Sequence, residues 1–217
     1  MPFRDRVDAG RRLAERLAEL GLHSPIVLGL PRGGVPVGAE VAVALGARLD
    51  VFVARKIGLP GNQELGIGAI AEGLHETIVS ELAAELGVSA ALVERLADRE
   101  RVEMRGRIRR YRGDRPLVPV RGRDVVLVDD GLATGVTALA ALTALRKRHP
   151  RRLILAVPVC APAMAARLAG LAEVVSVESP DRLFSVGEWY EDFSQVSDAE
   201  VAAVLERREH ATRRRRA

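Results

Sequence analysis

The stretch Val125-Val126-Leu127-Val128 is apolar at every position, and Asp129 and Asp130 follow it at once. A strand with two apolar faces must be covered on both, and a parallel sheet with helices packed above and below does this. The rest of the chain supplies matching pieces. Ile26-Val27-Leu28 is a second run of β-formers, Leu49-Asp50-Val51-Phe52-Val53-Ala54 a third, and residues 66–71, 153–157 and 173–177 complete the set. Helical patterns lie between them at 36–46, 136–148, 162–171 and 198–209, and an amphipathic helix opens the chain at 5–21, with Val7, Leu13, Leu17 and Leu20 among charges and Gly21 at the C-cap position. This alternation predicts an α/β fold, a parallel sheet flanked by helices. Residues 80–112 interrupt it with two consecutive helices, 80–86 and 90–111. The second is N-capped by Ser89 and dense in arginine, with Arg95, Arg99, Arg101, Arg105, Arg107, Arg109, Arg110 and Arg112.

No internal repeat and no Ser- or Gly-rich linker divides the 217 residues. Residues 1–210 therefore read as one domain, and 211–217 as a basic, disordered tail carrying Arg213 to Arg216. A chain of this length buries roughly 70% of the surface its unfolded form exposes, enough for a core without staples. The one cysteine, Cys160, excludes an internal disulfide and a cysteine-ligated zinc site, and it fits a reducing, cytoplasmic setting. No stretch approaches the ~20 apolar residues of a membrane span. Lys and Arg number 33 against 29 Asp and Glu, a formal charge of +4 that suits phosphate-bearing ligands and also fits non-specific nucleic-acid contact.

The acids after Val128 head the most informative segment, Asp129-Asp130-Gly131-Leu132-Ala133-Thr134-Gly135-Val136-Thr137. It sets two carboxylates at the C-terminal end of a buried strand and a small, hydroxyl-bearing turn at the start of the next helix, the edge at which open α/β sheets bind ligands. Unpaired N–H groups at the helix start, with the Thr134 and Thr137 hydroxyls, can cradle a phosphate. Adjacent carboxylates beside such a cradle fit ribose hydroxyls or a bound magnesium ion. Helix capping by Asp is the plainer alternative, but it needs one acid and leaves the small residues unexplained. A second turn, Gly29-Leu30-Pro31-Arg32-Gly33-Gly34, follows the strand at 26–28; successive glycine amides make an anion nest, and arginine supplies forked donors. Without a ligand it reads as a tight turn with a solvent-facing Arg32.

The run Val-Val-Leu-Val-Asp-Asp-Gly-Leu-Ala-Thr-Gly-Val-Thr closely resembles the phosphoribosyl pyrophosphate (PRPP) motif of type I phosphoribosyltransferases. The resemblance implies that Asp129 and Asp130 contact the ribose 2- and 3-hydroxyls, directly or through a metal ion, and that Gly131, Leu132, Ala133, Thr134, Gly135, Val136 and Thr137 wrap the 5-phosphate. It likewise places the family's pyrophosphate loop at Pro31, Arg32, Gly33 and Gly34. Arg55-Lys56-Ile57-Gly58-Leu59-Pro60-Gly61 looks like the Arg-Lys segment of adenine-type members, so Arg55 and Lys56 would join the pyrophosphate site and residues 58–64 would form or begin a flap. The reaction implied is displacement of pyrophosphate at ribose C1 by an acceptor nitrogen, usually of a nucleobase. Asp129, Asp130, Arg32 and Lys56 would be the catalytic set and Mg2+ the cofactor.

The acceptor is less legible. Where 6-oxopurine members commonly carry an aspartate before the Thr-Gly pair, this chain has Ala133; where uracil enzymes usually have proline, it has Asp130. Only 3% of residues are aromatic, yet Phe184, Trp189, Tyr190 and Phe193 cluster beyond the last core strand. Family members often build the base-holding hood there, so Trp189, Tyr190 and Phe193, with Glu64, are the candidate acceptor contacts; the alternative is that Trp189 and Phe193 pin the C-terminal segment to the core. Glu72 is a further candidate for an acceptor or metal contact. A small hood would come from the N-terminal and 180–197 segments. The helical insertion at about 78–112 reads as a lid, an oligomer interface or a solvated face. His23, His75, His149 and His210 lack metal-ligand spacing. A homodimer is expected, nucleic acid and membrane are not, and a PRPP-binding regulator without transferase activity is the rival reading. A dinucleotide-binding oxidoreductase is disfavoured by the missing Gly-x-Gly-x-x-Gly turn.

Overall fold

The computed structural model describes residues 2–214, without the side chains of Glu64 and of 211–214. Five strands make one parallel sheet: β1 (Ile26–Gly29), β2 (Arg48–Val51), β6 (Asp124–Val128), β7 (Arg152–Val159) and β8 (Glu173–Glu178), in the order β2-β1-β6-β7-β8. Alternate side chains enter two cores. Val27, Val126 and Ile154 face α1 (Arg6–Ala18), α2 (Gly34–Ala44) and α7 (Asp198–Arg214), while Ile26, Leu28, Val125, Leu127 and Leu155 face α5 (Val136–Arg146) and α6 (Pro162–Leu168). The parallel, doubly covered sheet is thus the one the apolar run 125–128 requires.

The expected strand at 49–54 is two strands. After β2, Phe52 N–H still donates to Gly29 O, but Val53 O accepts from Glu72 N–H, and the chain leaves the sheet. It then builds a separate antiparallel sheet of β3 (Ala54–Leu59), β4 (Asn62–Ala71) and β5 (Ile78–Val79), with a hairpin turn at Pro60-Gly61. A 3-10 turn at Gly187–Trp189 follows β8, and α7 continues past Glu209 to Arg214, so the basic run begins inside a helix; residues 215–217 lie outside the described ones.

The insertion forms α3 (Glu81–Glu85), N-capped by Ser80, and α4 (Ala90–Arg112), N-capped by Ser89 as expected. On α4, Val93, Ala97 and Met104 are buried in the same core as Ile57, Ile67 and Ile70 of the hairpin sheet, so this helix buttresses the hairpin. Its outward arginines Arg95, Arg99, Arg105 and Arg109 are exposed. Two anchors hold its end. Tyr111 OH donates to Asp198 of α7, beside an Arg110–Asp198 ion pair, and Arg112 makes a two-pronged pair with Glu72 at 2.9 and 3.0 Å. Glu72 and Arg112 are both buried, and burial pushes the Glu72 carboxyl up against the opposing pull of Arg112. Glu72 is therefore a structural partner of the insertion and not an acceptor or metal contact.

Candidate active site

The strand order reverses between β1 and β6, whose ends Gly29 and Val128 are paired in register. Loops leaving neighbouring strands at such a reversal diverge and open a crevice at the carboxyl edge of the sheet. The two loops here are 30–33 and 129–135, the two motifs singled out in the sequence. The Pro31–Arg32 peptide bond is cis.

The loops touch so closely that only glycine fits between them. A Cβ on Gly34 would lie 2.3 Å from Val128 O and 2.8 Å from Asp129 Cα, and one on Gly33 would lie 1.8 Å from Asp130 Oδ2. Both acids are thereby set against the glycine loop. Asp130 N–H donates to Asp129 Oδ1 at 2.9 Å. Burial, together with the charge of Asp130, holds Asp129 well above the usual carboxylate range. Asp130 is raised too, by burial, although Arg6 pulls in the opposite direction.

Beyond the acids, Leu132 is buried and bridges to Cys160, so it anchors the loop from inside while Ala133 and Thr134 are exposed. Gly135 (φ 69°) ends the loop, and no side chain caps α5. The first amides of that helix therefore point, with its positive dipole end, at whatever occupies the loop. A cavity of about 330 Å³ adjoins them, lined by Thr134, Gly135 and Val136 with Ser80, Met164 and Arg167.

Arg55 and Lys56 lie inside β3, not at the end of a strand, and so face opposite ways. Arg55 pairs with Glu100 of α4 at 2.5 Å and serves the buttress, a correction to its place in the pyrophosphate set. Lys56 takes the other face: a Cβ on Gly66 would meet Lys56 Cδ and Val136 Cγ1, each at 3.1 Å, which puts the lysine stem beside the start of α5. Arg32 is half-buried and its charge bears on Tyr111 of α4.

The aromatic cluster divides by task. Tyr190 is 7% exposed, and its hydroxyl donates to Asp130 O at 2.6 Å; burial and the Asp130 charge push its pKa upward. Phe193 carries the Arg6 guanidinium 4.1 Å from its ring centroid, and Trp189 O accepts from Phe3 N–H at 2.7 Å. These three residues clamp the N-terminal segment under the acids; Tyr190 offers no open face to an acceptor, and Arg6 covers one face of Phe193. Glu64 sits in β4, and its side chain lies outside the described residues. Phe184 is different. It is 80% exposed on the loop after β8, two residues before Val186, whose Cγ1 would lie 2.4 Å from a Cβ on Gly131. It is thus an aromatic face standing in solvent on a loop packed against the acid-bearing turn.

Sequence reasoning missed Arg6. In the first turn of an amphipathic helix it resembles any solvated arginine, but its Nε donates to Asp130 Oδ2 at 2.9 Å, with Nη2 2.8 Å from the same oxygen. Its partner is 124 positions away in the chain, and no local pattern signals such a contact.

A family model described as the phosphoribosyl transferase domain matches residues 4–198. The chain belongs to that family. Two Mycobacterium tuberculosis proteins (strains CDC 1551 / Oshkosh and ATCC 25618 / H37Rv), each named "Putative phosphoribosyl transferase", are 45% identical to it over 206 residues, 94% of this chain and 46% of theirs. The chain therefore spans about half the length of these curated relatives. The crystal structure of TT1426 from Thermus thermophilus shares 49% identity, with a TM-score of 0.78, over 94% of this chain and 98% of that one. The AQ2163 protein of Aquifex aeolicus, at 14% identity and a TM-score of 0.51 over 84% of this chain and 76% of that one, shares the fold. The glycine and acid loops of this phosphoribosyl transferase domain both fall within the matched residues. Among the described residues no helix is long and apolar enough to cross a membrane.

Asp129 and Asp130 are the acids at the crevice, and among the described residues no cluster of three or more His, Cys, Asp and Glu is placed to hold a metal. The hard carboxylate oxygens of Asp129 and Asp130 are of the type that would suit a divalent cation such as magnesium.

Proposed function

We propose that this domain binds PRPP in the crevice between β1 and β6 and transfers its 5-phosphoribosyl group to a nitrogen acceptor, releasing pyrophosphate. The observation that carries the reading is the contact of the two loops, Gly33 on Asp130 and Gly34 on Val128 and Asp129. The arginine-bearing glycine turn, the carboxylate pair and the uncapped start of α5 lie side by side, which supports a reading in the order pyrophosphate, ribose and 5-phosphate. Asp129 and Asp130 hold the ribose hydroxyls and lend negative charge near the cationic C1 that develops as pyrophosphate departs. Arg32 and Lys56, with the Gly33 amide, receive the departing diphosphate; the Gly34 amide is already bonded to Leu30 O. The 5-phosphate lies on Gly131 and 133–137, with the first amides of α5 as donors. Magnesium, when bound with the diphosphate, supplies charge neutralisation to the leaving group. The acceptor heterocycle stacks on Phe184, the exposed aromatic beside the crevice.

The test is pyrophosphate release from PRPP and magnesium across a panel of purine and pyrimidine bases and small amines. Release that depends on one acceptor, and falls when Asp129 and Asp130 are both changed to asparagine, is the expected result. PRPP binding by calorimetry without release under any acceptor would give the domain a sensing role instead, and no binding at all would overturn the reading.

A further inference from the structure

Each acid of the crevice has one oxygen already engaged. Asp129 Oδ1 accepts the Asp130 amide at 2.9 Å, and Asp130 Oδ2 takes both Nε and Nη2 of Arg6. The two carboxylates also bear directly on each other, side chain to side chain. Arg6 thus engages Asp130 through Oδ2 and makes no contact with Oδ1.

Arg6 is itself held from several sides. Its Nη1 donates to Ser194 O at 2.8 Å, and its guanidinium lies over Phe193. The backbone just before it is stitched to the hood: Phe3 N–H donates to Trp189 O, Glu191 N–H to Phe3 O at 2.8 Å, and Asp192 N–H to Arg4 O at 2.9 Å. The Phe3 ring is fully buried 5.3 Å from that of Tyr190, whose hydroxyl holds the Asp130 carbonyl. Both the main chain and the side chain of Asp130 are thus gripped by one unit made from the N-terminal segment and residues 189–194.

We propose that Arg6 is the positioning residue of the ribose-binding pair: it fixes Asp130 through a single oxygen, leaves the other for a ribose hydroxyl, and couples that carboxylate to the aromatic hood. The inference rests on the ribose assignment made above. A planar fork over an aromatic ring suits the task, because it locks the carboxylate rotamer at little entropic cost. Lysine would bring a point charge without the fork.

The experiment is calorimetry of the intact chain with PRPP, and separately with inorganic pyrophosphate, both with magnesium, for wild type, Arg6→Ala, Arg6→Lys, Asp130→Asn and the double variant Arg6→Ala with Asp130→Asn. Charge-assisted hydrogen bonds of this kind correspond to about a ten- to hundredfold change in affinity. Arg6→Ala should weaken PRPP by that factor and leave pyrophosphate binding, which uses no ribose, unchanged. Arg6→Lys should recover part of the loss, and in the Asp130→Asn background removal of Arg6 should have no further effect. Retained pyrophosphate affinity shows that the variant is folded. Equal losses for both ligands, or effects of Arg6 and Asp130 that simply add, would overturn the inference. So would PRPP affinity unchanged in Arg6→Ala while the wild type binds normally, and that result leaves the ribose assignment standing. A wild type that binds no PRPP overturns both.

Discussion

Gly33 and Gly34 touch different things, so alanine at each probes a different property of the crevice. At Gly34 the obstacles are Val128 O at 2.3 Å and Asp129 Cα at 2.8 Å, main-chain atoms at the end of the central strand. They yield only if the start of α2 moves away from the end of β6. Alanine is better than glycine inside a helix by about 1 kcal/mol, but forcing atoms into a packed site costs about 1–3 kcal/mol, and a main-chain obstacle belongs at the upper end. Gly34→Ala should therefore destabilise the fold by about 2 kcal/mol. Gly33 has φ −62° and ψ −33°, which any residue adopts, and its obstacle is the Asp130 carboxylate at 1.8 Å. A side chain can swing away, but this one must then release Arg6 and abandon the ribose position. Gly33→Ala should lose no more than about 1 kcal/mol of stability, yet bind PRPP at least about tenfold more weakly, the equivalent of one charge-assisted hydrogen bond. Urea denaturation midpoints and calorimetry with PRPP measure the two effects. The opposite pattern, in which Gly33→Ala binds normally and Gly34→Ala unfolds with the wild type, would refute the packing of the loops described above.

Further outcomes follow from the same contacts. Arg112→Met leaves Glu72 buried without its partner and should cost about 3–5 kcal/mol, whereas Glu72→Leu with Arg112→Met should restore much of the loss; denaturant midpoints of the three chains decide it. Asp129 is raised on folding, so its contribution to stability is fully present below the unfolded value of 3.8 and is lost as pH rises through the folded value. Asp129→Asn should accordingly stabilise the protein at neutral pH, by an amount that shrinks toward pH 4, and a uniform shift at all pH values would count against the assignment. Burial pushes the Cys160 thiol up to about 11, so thiol reagents should label it only on unfolding, as mass spectrometry of native and denatured protein would show. Phe184→Ala, at a site 80% exposed, should leave stability and PRPP affinity unchanged and raise the acceptor KM in the pyrophosphate-release assay.

The sheet and both crevice loops were legible because their signals are local. An uninterrupted apolar run with acids behind it, and glycines where two strands end, require nothing from the rest of the chain. The break after β2 was not legible. Residues 49–54 are almost continuously apolar, and what diverts them is Glu72, whose amide takes Val53 O while its carboxylate binds Arg112. The error carried over to Arg55 and Lys56: read as a strand end, they share a ligand, but inside a strand they must face opposite ways. The aromatics failed for a related reason. Composition locates the cluster, but only packing distinguishes buried Tyr190 from solvent-exposed Phe184.

Burying two adjacent carboxylates opposes folding at neutral pH, and the cations around them indicate what offsets it. Arg6 reaches the pair from α1, Lys56 stands beside the start of α5, and Arg32 leads into the glycine turn. Arg6 engages Asp130 through one oxygen. What remains is a crevice with hydrogen-bond acceptors in its middle and, on either side, a glycine turn with arginine and lysine or the positive end of α5. A ligand with anions at both ends and hydroxyls between them matches that order, and a dinucleotide, whose anionic bridge lies at its centre, does not.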